Sequence, residues 1–409
     1  MVSTPVDTMP LAPDAAPPND PDRLRELFLL RPGLAYLNHG SFGACPRPVF
    51  AAYQAWQAEL EREPVLFLSR RYESLLAEAR ESLATYLGAS ADDLVYATNI
   101  TLALNVVAQS LDLAPGDEIL STDLEYGAMN TMWQCLCDRA GARYVRQPIP
   151  LPVESAEQVV EAIWAGRTPR TRALFISHIT SGTAMIMPVE ALVRRAREEG
   201  LVTIVDGAHA VGQVPVDLEA LGADYYAGNC HKWMMSPKGA GFLHARRDLQ
   251  GCLRPLVLSG GYGDLPAGRS RFLAQQEWQG TRDPAAFLTV PEAIRFAAEH
   301  RWDEVRTRCH ALLKEARARL TEMTGLAPLT PDSPEWYAQM ARLPLPPCDG
   351  AALKARLYDE FDVEVPAGGG PEGGGVRISV QGYNTPADID RLLEGLRVLL
   401  PQVRERQSA

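Results

Sequence analysis

The sequence predicts an α/β protein: a mostly parallel central sheet with helices on both faces, followed by a smaller C-terminal α+β unit. Three observations predict it. Between residues 24 and 285, short apolar runs alternate with helix-length stretches, the order of strands and crossover helices in a parallel sheet. Beyond about residue 290 the pattern changes to a few helices and two strands. The 409 residues are 46% hydrophobic and 22% charged, ordinary globular usage in a chain long enough to bury a large core without disulfides or metals.

The elements follow in order. Residues 1–22 hold six prolines and no basic residue, which predicts a disordered arm and excludes a secretory signal. Helices are expected at 48–61 and 72–87, a strand at 93–96, and an apolar helix at 102–111 opened by Thr98-Asn99-Ile100-Thr101. Strands are expected at 118–121, 173–177, 202–205, 225–227 and 241–244, with a helix at 189–199. A long helix runs from Pro284 into the low three-hundreds. The C-terminal part reads as helix 349–360, strand 363–365, strand 376–380 and helix 386–400. Gly368–Gly370 and Gly373–Gly375 read as a flexible loop between those strands. The division expected is 1–22 arm, 23–290 large unit and 291–409 small unit.

Charge and cysteine content exclude several classes. The net charge is -11, and no Lys/Arg cluster resembles a nucleic-acid face. An anionic bilayer would repel the chain, and no apolar run reaches the roughly 18 residues of a membrane span. Seven cysteines are an odd number for a disulfide framework, and Cys135 and Cys137 have neither zinc nor redox spacing. A cytoplasmic location without a metal site is expected.

In an open α/β sheet, ligands bind beyond the carboxyl ends of the strands. One expected strand runs into Asp206-Gly207-Ala208-His209, and the next into Asn229-Cys230-His231-Lys232-Trp233. Taken alone, Asp206 reads equally as a turn cap, and a strand-end lysine reads as a solvated residue. Only four lysines occur in the chain, Lys232, Lys238, Lys314 and Lys354, and Lys232 sits between a histidine and a tryptophan. That setting lowers an amine pKa and favours Schiff base chemistry. A lysine and an aspartate on successive strand ends suit pyridoxal phosphate, with the carboxylate holding the pyridine nitrogen protonated. The start of the helix after Asn99 offers amides to the phosphate; by itself it is also a plain helix cap.

These motifs, with Tyr36-Leu37-Asn38-His39-Gly40-Ser41-Phe42-Gly43 and Gly280-Thr281-Arg282-Asp283, resemble the class V aminotransferase superfamily of fold type I pyridoxal-phosphate enzymes, in its isopenicillin N epimerase-like subgroup. The likeness runs from about residue 23 to 400. It implies pyridoxal 5′-phosphate as cofactor and Lys232 as the Schiff base lysine. Asp206 is then the pyridinium partner, His209 and Ser181 lie near the ring oxygen, and Tyr126 stacks on the ring. Ile100, Thr101, Asn229 and His231 hold the phosphate. Thr281 reaches the phosphate of a neighbouring subunit, which implies a homodimer with shared sites. Arg377 binds a substrate α-carboxylate, and Asn38 and His39 line the substrate side. The plain alternatives are a core tyrosine at 126, helix caps at Thr281 and Asp283, and a polar strand face at Arg377. His178 reads equally as a structural histidine. The loop 366–375 holds no cysteine, and Cys348 lies well upstream, so persulfide chemistry is not expected.

The activity implied is epimerisation or racemisation at an α-carbon, with α-proton removal by Lys232 and reprotonation by Tyr126, His39 or water. A C–S β-lyase and then an aminotransferase are the alternatives, sharing the first step.

Overall fold

The computed structural model describes residues 17–263, 265, 270–369 and 373–403. Seven strands form the central sheet: β1 (Leu94–Ala97), β2 (Glu118–Thr122), β3 (Arg143–Gln147), β4 (Thr171–Ser177), β5 (Val202–Asp206), β6 (Tyr225–Asn229) and β7 (Gly241–Ala245). Their spatial order is β1-β7-β6-β5-β4-β2-β3, and only β7 is antiparallel to its neighbours. Alternate side chains of one strand feed two different cores. Leu174 and Ile176 join the cluster closed by helices Tyr72–Tyr86 and Val189–Glu198. Ala173 and Phe175 join the cluster closed by Ile100–Ser110 and Gly127–Ala140. Both faces are apolar because both are covered.

The expected α/β class and the six expected central strands are present. Strand β3 was not foreseen. It is an edge strand with two exposed arginines, Arg143 and Arg146. Such charges guard an edge but dilute the apolar signal. The expected long helix is three helices, Ala285–Leu288, Val290–Glu299 and Trp302–Thr324. Pro291 sits in the first turn of the second helix, where its missing N–H is harmless. Arg301 turns left-handed, with φ 49°, before the third.

A second, antiparallel sheet places β9 (Gly374–Ser379) between Ala367–Gly368 and β8 (Met340–Leu345). Gly368, Gly374 and Gly375 therefore lie in strands, not in the flexible loop expected from composition. Residues 370–372 fall outside the described residues. Val363–Glu364 does not join this sheet; it pairs in parallel with Ala35–Tyr36. Asn38 bridges to Ser379. The N-terminal stretch of the proposed large unit, 23–290, is thus stitched to the proposed small unit, 291–409.

Of the expected arm, residues 1–16 lie outside the described residues. Residues 17–22 are docked. Helix Pro21–Glu26 begins there, with Asp20 accepting from the Arg23 N–H at 3.0 Å. The Asn19 amide donates to Glu304 at 2.7 Å, and the Pro18 carbonyl meets His300 Nδ1. Leu24 is fully buried and touches the position where Gly382 would carry a Cβ. Leu24→Ala should therefore lower the unfolding free energy by about 2–5 kcal/mol, the usual cost of truncating a buried leucine. Chemical denaturation measures this, and a change below about 0.5 kcal/mol would show that the segment is not part of the core.

Candidate active site

Parallel strands bring their carboxyl ends together. Ser177 of β4 is in register with Asp206 of β5, and Asp206 with Ala227 of β6. Three residues beyond β6 the chain reaches Lys232. A cleft of about 170 Å³ opens at this edge. Ile100, Thr101, Tyr126, Ser181, Asp206, His209, Asn229, His231 and Lys232 all line it. The structure therefore assembles in one place nine residues that the sequence scatters over more than 130 positions.

The amine of Lys232 is nearly enclosed. Burial pulls it down to about 8, with Arg377 adding to the shift and Asp206 opposing it. Its Nζ lies 3.3 Å from Nε2 of His209, whose Nδ1 lies 3.3 Å from the Trp233 indole N–H. An indole can only donate, so Nδ1 of His209 is an acceptor and the single imidazole proton sits on Nε2. A nitrogen facing Nε2–H can accept only as a neutral amine. Burial, Lys232 and Arg377 together hold His209 uncharged. The local bonding thus favours the neutral lysine needed for nucleophilic chemistry.

Asp206 is fully buried and forms no ion pair among the described residues. Its Oδ1 accepts from the Ala208 N–H at 2.9 Å. Burial raises its pKa, while that bond and Lys232 pull it back. Across the cleft, Asn99 caps helix Ile100–Ser110 by accepting from the Leu102 N–H at 2.9 Å. Asn229 at the end of β6 accepts from the Ile100 N–H at 2.9 Å. That bond ties the helix start to the lysine strand and gives the cleft the positive end of a helix dipole.

Tyr126 caps the next helix and is 50% exposed, so it is not a core tyrosine. Arg377 of β9 donates to the Ser181 carbonyl at 2.8 Å, to the Ser181 hydroxyl at 3.2 Å and to the Ser41 hydroxyl at 2.9 Å. Its Nε has no partner among the described residues. Burial pulls the guanidinium down to about 10, Arg342 adding to the shift.

Asn38 and His39 stand behind the lysine, not on the cleft wall. His39 is fully buried, and burial holds it down to about 3. Its Nε2 lies 3.0 Å from the Lys232 carbonyl and its Nδ1 2.9 Å from the Tyr383 hydroxyl. Asn38 donates to Glu364 at 2.8 Å and accepts from Ser41 at 2.5 Å. Gly43 follows with φ +70°, and a Cβ there would fall 2.4 Å from the His231 carbonyl. The whole motif from Asn38 to Gly43 clamps the backbone of the lysine loop. Thr281 is exposed and is not among the cleft-lining residues. Asp283 caps the next helix by accepting from the Ala285 N–H at 2.8 Å. His178 is half-buried and lies outside this cleft, its Nδ1 3.0 Å from the Tyr226 hydroxyl.

Sequence reasoning missed Glu125. It is buried beside Tyr126, accepting from Thr122 at 2.8 Å and from Ser177 at 2.5 Å. Burial raises its carboxyl to about 7, and the neighbouring Asp206 adds to the shift. An acid three residues past the end of an apolar strand was the available signal.

Comparison with known proteins agrees with this geometry. The family described as Aminotransferase class-V matches residues 46–392. The chain belongs to the class V aminotransferase family. An isopenicillin N epimerase of Amycolatopsis lactamdurans is 43% identical over 92% of this chain and 97% of its own. A second, of Streptomyces clavuligerus, is 40% identical over 93% and 98%. A probable L-cysteine desulfhydrase, chloroplastic, of Arabidopsis thaliana is 30% identical over 90% and 83%. Among solved structures, the apo cysteine desulfurase of Thermococcus onnurineus NA1 superposes with TM-score 0.81 at 21% identity, covering 95% of this chain and all of that one. That last likeness shows the fold.

As a class V family member, the protein is an enzyme that uses pyridoxal 5′-phosphate. The residues fit the group: a desolvated amine, a buried carboxylate with no cation paired to it, and a helix start for an anion meet in one cleft. Among the described residues, no His/Cys/Asp/Glu cluster could hold a metal.

Glu125 makes a pH prediction. Its folded-state pKa of about 7 lies above the ordinary 4.5, so folding favours the protonated form. That contribution is fully present below pH 4.5 and lost as pH rises through 7. Glu125→Gln stays neutral and should escape the loss. The stability of the variant relative to wild type should rise between pH 5 and pH 8 by on the order of 1–3 kcal/mol. A difference that stays flat with pH would place Glu125 in a more solvated setting.

Proposed function

We propose that the protein is an epimerase acting at the α-carbon of an amino acid or amino-acid-derived substrate. The observation that carries this reading is the desolvated Lys232 amine at the cleft, in a chain 43% identical to an isopenicillin N epimerase over 92% of its length. When bound, the cofactor supplies an electron sink that makes the substrate α-proton removable.

The chain's own residues do the rest. Asp206 holds the proton on the pyridine nitrogen, and Tyr126, His209 and Ser181 orient the ring. Ile100, Thr101, Asn229 and His231 hold the phosphate. Arg377 presents two parallel donors to the α-carboxylate. Lys232 takes the α-proton. Tyr126 returns a proton from the other face, because both nitrogens of His39 are engaged behind the lysine. A C–S β-lyase is the second reading, favoured by the 30% identity to a probable L-cysteine desulfhydrase. No cysteine lines the cleft among the described residues, so a persulfide carrier is absent from this reading.

Incubation of the holoenzyme with a panel of amino acids in deuterated water tests the assignment. Wild type should exchange the α-hydrogen and invert the centre. Tyr126→Phe should keep the exchange while inversion falls on the order of 10²-fold or more, the usual contribution of a general acid. Release of sulfide and a keto acid in place of inversion would transfer the protein to the lyase reading.

We further propose a cytoplasmic homodimer with shared sites. No disulfide joins any two cysteines among the described residues, which fits a reducing compartment. Exposed Thr281 would reach the partner's phosphate. Mixing Lys232→Ala with Thr281→Arg should then restore one sound site per heterodimer. Mixtures no more active than either parent would mean that each chain builds its site alone.

A further inference from the structure

Four neighbouring strands of the central sheet end in buried polar residues: Asn229 on β6, Asp206 on β5, Ser177 on β4 and Thr122 on β2. The first three line the cleft, and Thr122 is not among the lining residues. The polar row thus runs one strand further than the cleft does. Buried polar groups are costly unless each finds a partner. Here the partner is Glu125, whose side chain sits between the last two strand ends. One of its oxygens accepts from the Thr122 hydroxyl at 2.8 Å and the other from the Ser177 hydroxyl at 2.5 Å. A hydroxyl has one proton, so Ser177 keeps none for Asp206, its register partner on β5.

Two acids therefore flank the end of β4. Neighbouring strands lie roughly 4.8 Å apart, close enough for each buried acid to feel the other. Lys232 is the cation that acts on Asp206, and none pairs with Glu125 among the described residues. From β3, Tyr144 also faces Glu125, but its hydroxyl is engaged by Ser121 and Asn130. Its phenol is held neutral by burial, with Glu125 adding to that effect. Burial raises the Glu125 carboxyl to about 7 against the pull of the two hydroxyls, and Asp206 adds to the rise. Two acids buried this close resist a second charge. A cation in the cleft reverses that preference.

We propose that Glu125 is a positioning residue for the cofactor: standing behind Asp206, it adds a second negative charge that holds the proton on the ring nitrogen, and so couples the strength of the electron sink to pH. Near neutral pH the Glu125 carboxyl gives its proton to solvent as a cation enters the cleft and recovers it as the cation leaves. No other bond changes. The inference rests on the reading of Asp206 as the partner of the ring nitrogen, and deepens it.

The test is the pH midpoint of the holoenzyme's cofactor absorbance band, recorded without substrate. Glu125→Gln keeps the shape and removes the charge. It should lower the midpoint by about one pH unit, tenfold in proton affinity. Glu125→Asp keeps the charge and loses the fit, and should recover part of that shift. A residue that only packed would rank the two variants the other way. A midpoint equal in wild type and Glu125→Gln overturns the proposal, as does a midpoint lower in Glu125→Asp than in Glu125→Gln. If neither variant folds, Thr122→Val takes their place. Losing that hydroxyl keeps Glu125 neutral to higher pH, so the midpoint should again fall, and an unchanged one overturns the proposal. Asp206→Asn, reconstituted with cofactor, separates this inference from the reading beneath it. A midpoint lowered by Asp206→Asn and untouched by Glu125→Gln defeats the Glu125 inference alone. A midpoint untouched by Asp206→Asn defeats the reading of Asp206, and the inference with it.

Discussion

Everything in the cleft depends on keeping one lysine amine out of water without giving it a carboxylate partner. A salt bridge would hold Lys232 charged and unreactive. Here the nearest polar neighbour is a neutral imidazole whose proton already points at the amine. The acid that matters, Asp206, is close enough to influence the amine but forms no ion pair with it. Desolvation wins over attraction, and the amine settles near the pH at which it can exchange protons.

Holding that arrangement is a matter of backbone as much as side chains. The lysine lies beyond its strand, in a turn with no ladder to fix it. The Asn38–Gly43 segment takes the ladder's place. His39 grips the Lys232 carbonyl, Gly43 lets the two backbones touch, and Lys238 donates to the Gly43 carbonyl at 3.0 Å. The same segment bridges to β9 through Asn38 and Ser379. Lys232, Arg377 and the N-terminal motif therefore share one junction between the two sheets. Its buried polar groups are costly unless satisfied, and nearly every one here has a partner.

Much of this was legible in the chain. Six of the seven central strands are short apolar runs, because strands covered on both faces have no polar side to confuse the pattern. Edge strand β3 was lost for the opposite reason: its exposed arginines break the run. The glycines around 368–375 looked like a loop because composition cannot tell a flexible glycine from one held flat beneath another side chain. Residues 17–22 looked like an arm because proline and aspartate also cap a helix.

What the sequence alone determined is the chemistry available: one lysine and one aspartate on neighbouring strand ends, a capped helix start, and an arginine in an apolar strand. Strand order and the rule that ligands bind at carboxyl ends are enough to bring these together. What only the tertiary structure decided is direction. His39 faces the lysine backbone and not the cleft, Glu125 is buried against Ser177, and Arg342 lies opposite Arg377. Each of these depends on which residue of a distant segment stands across the gap, a long-range register that local pattern does not encode.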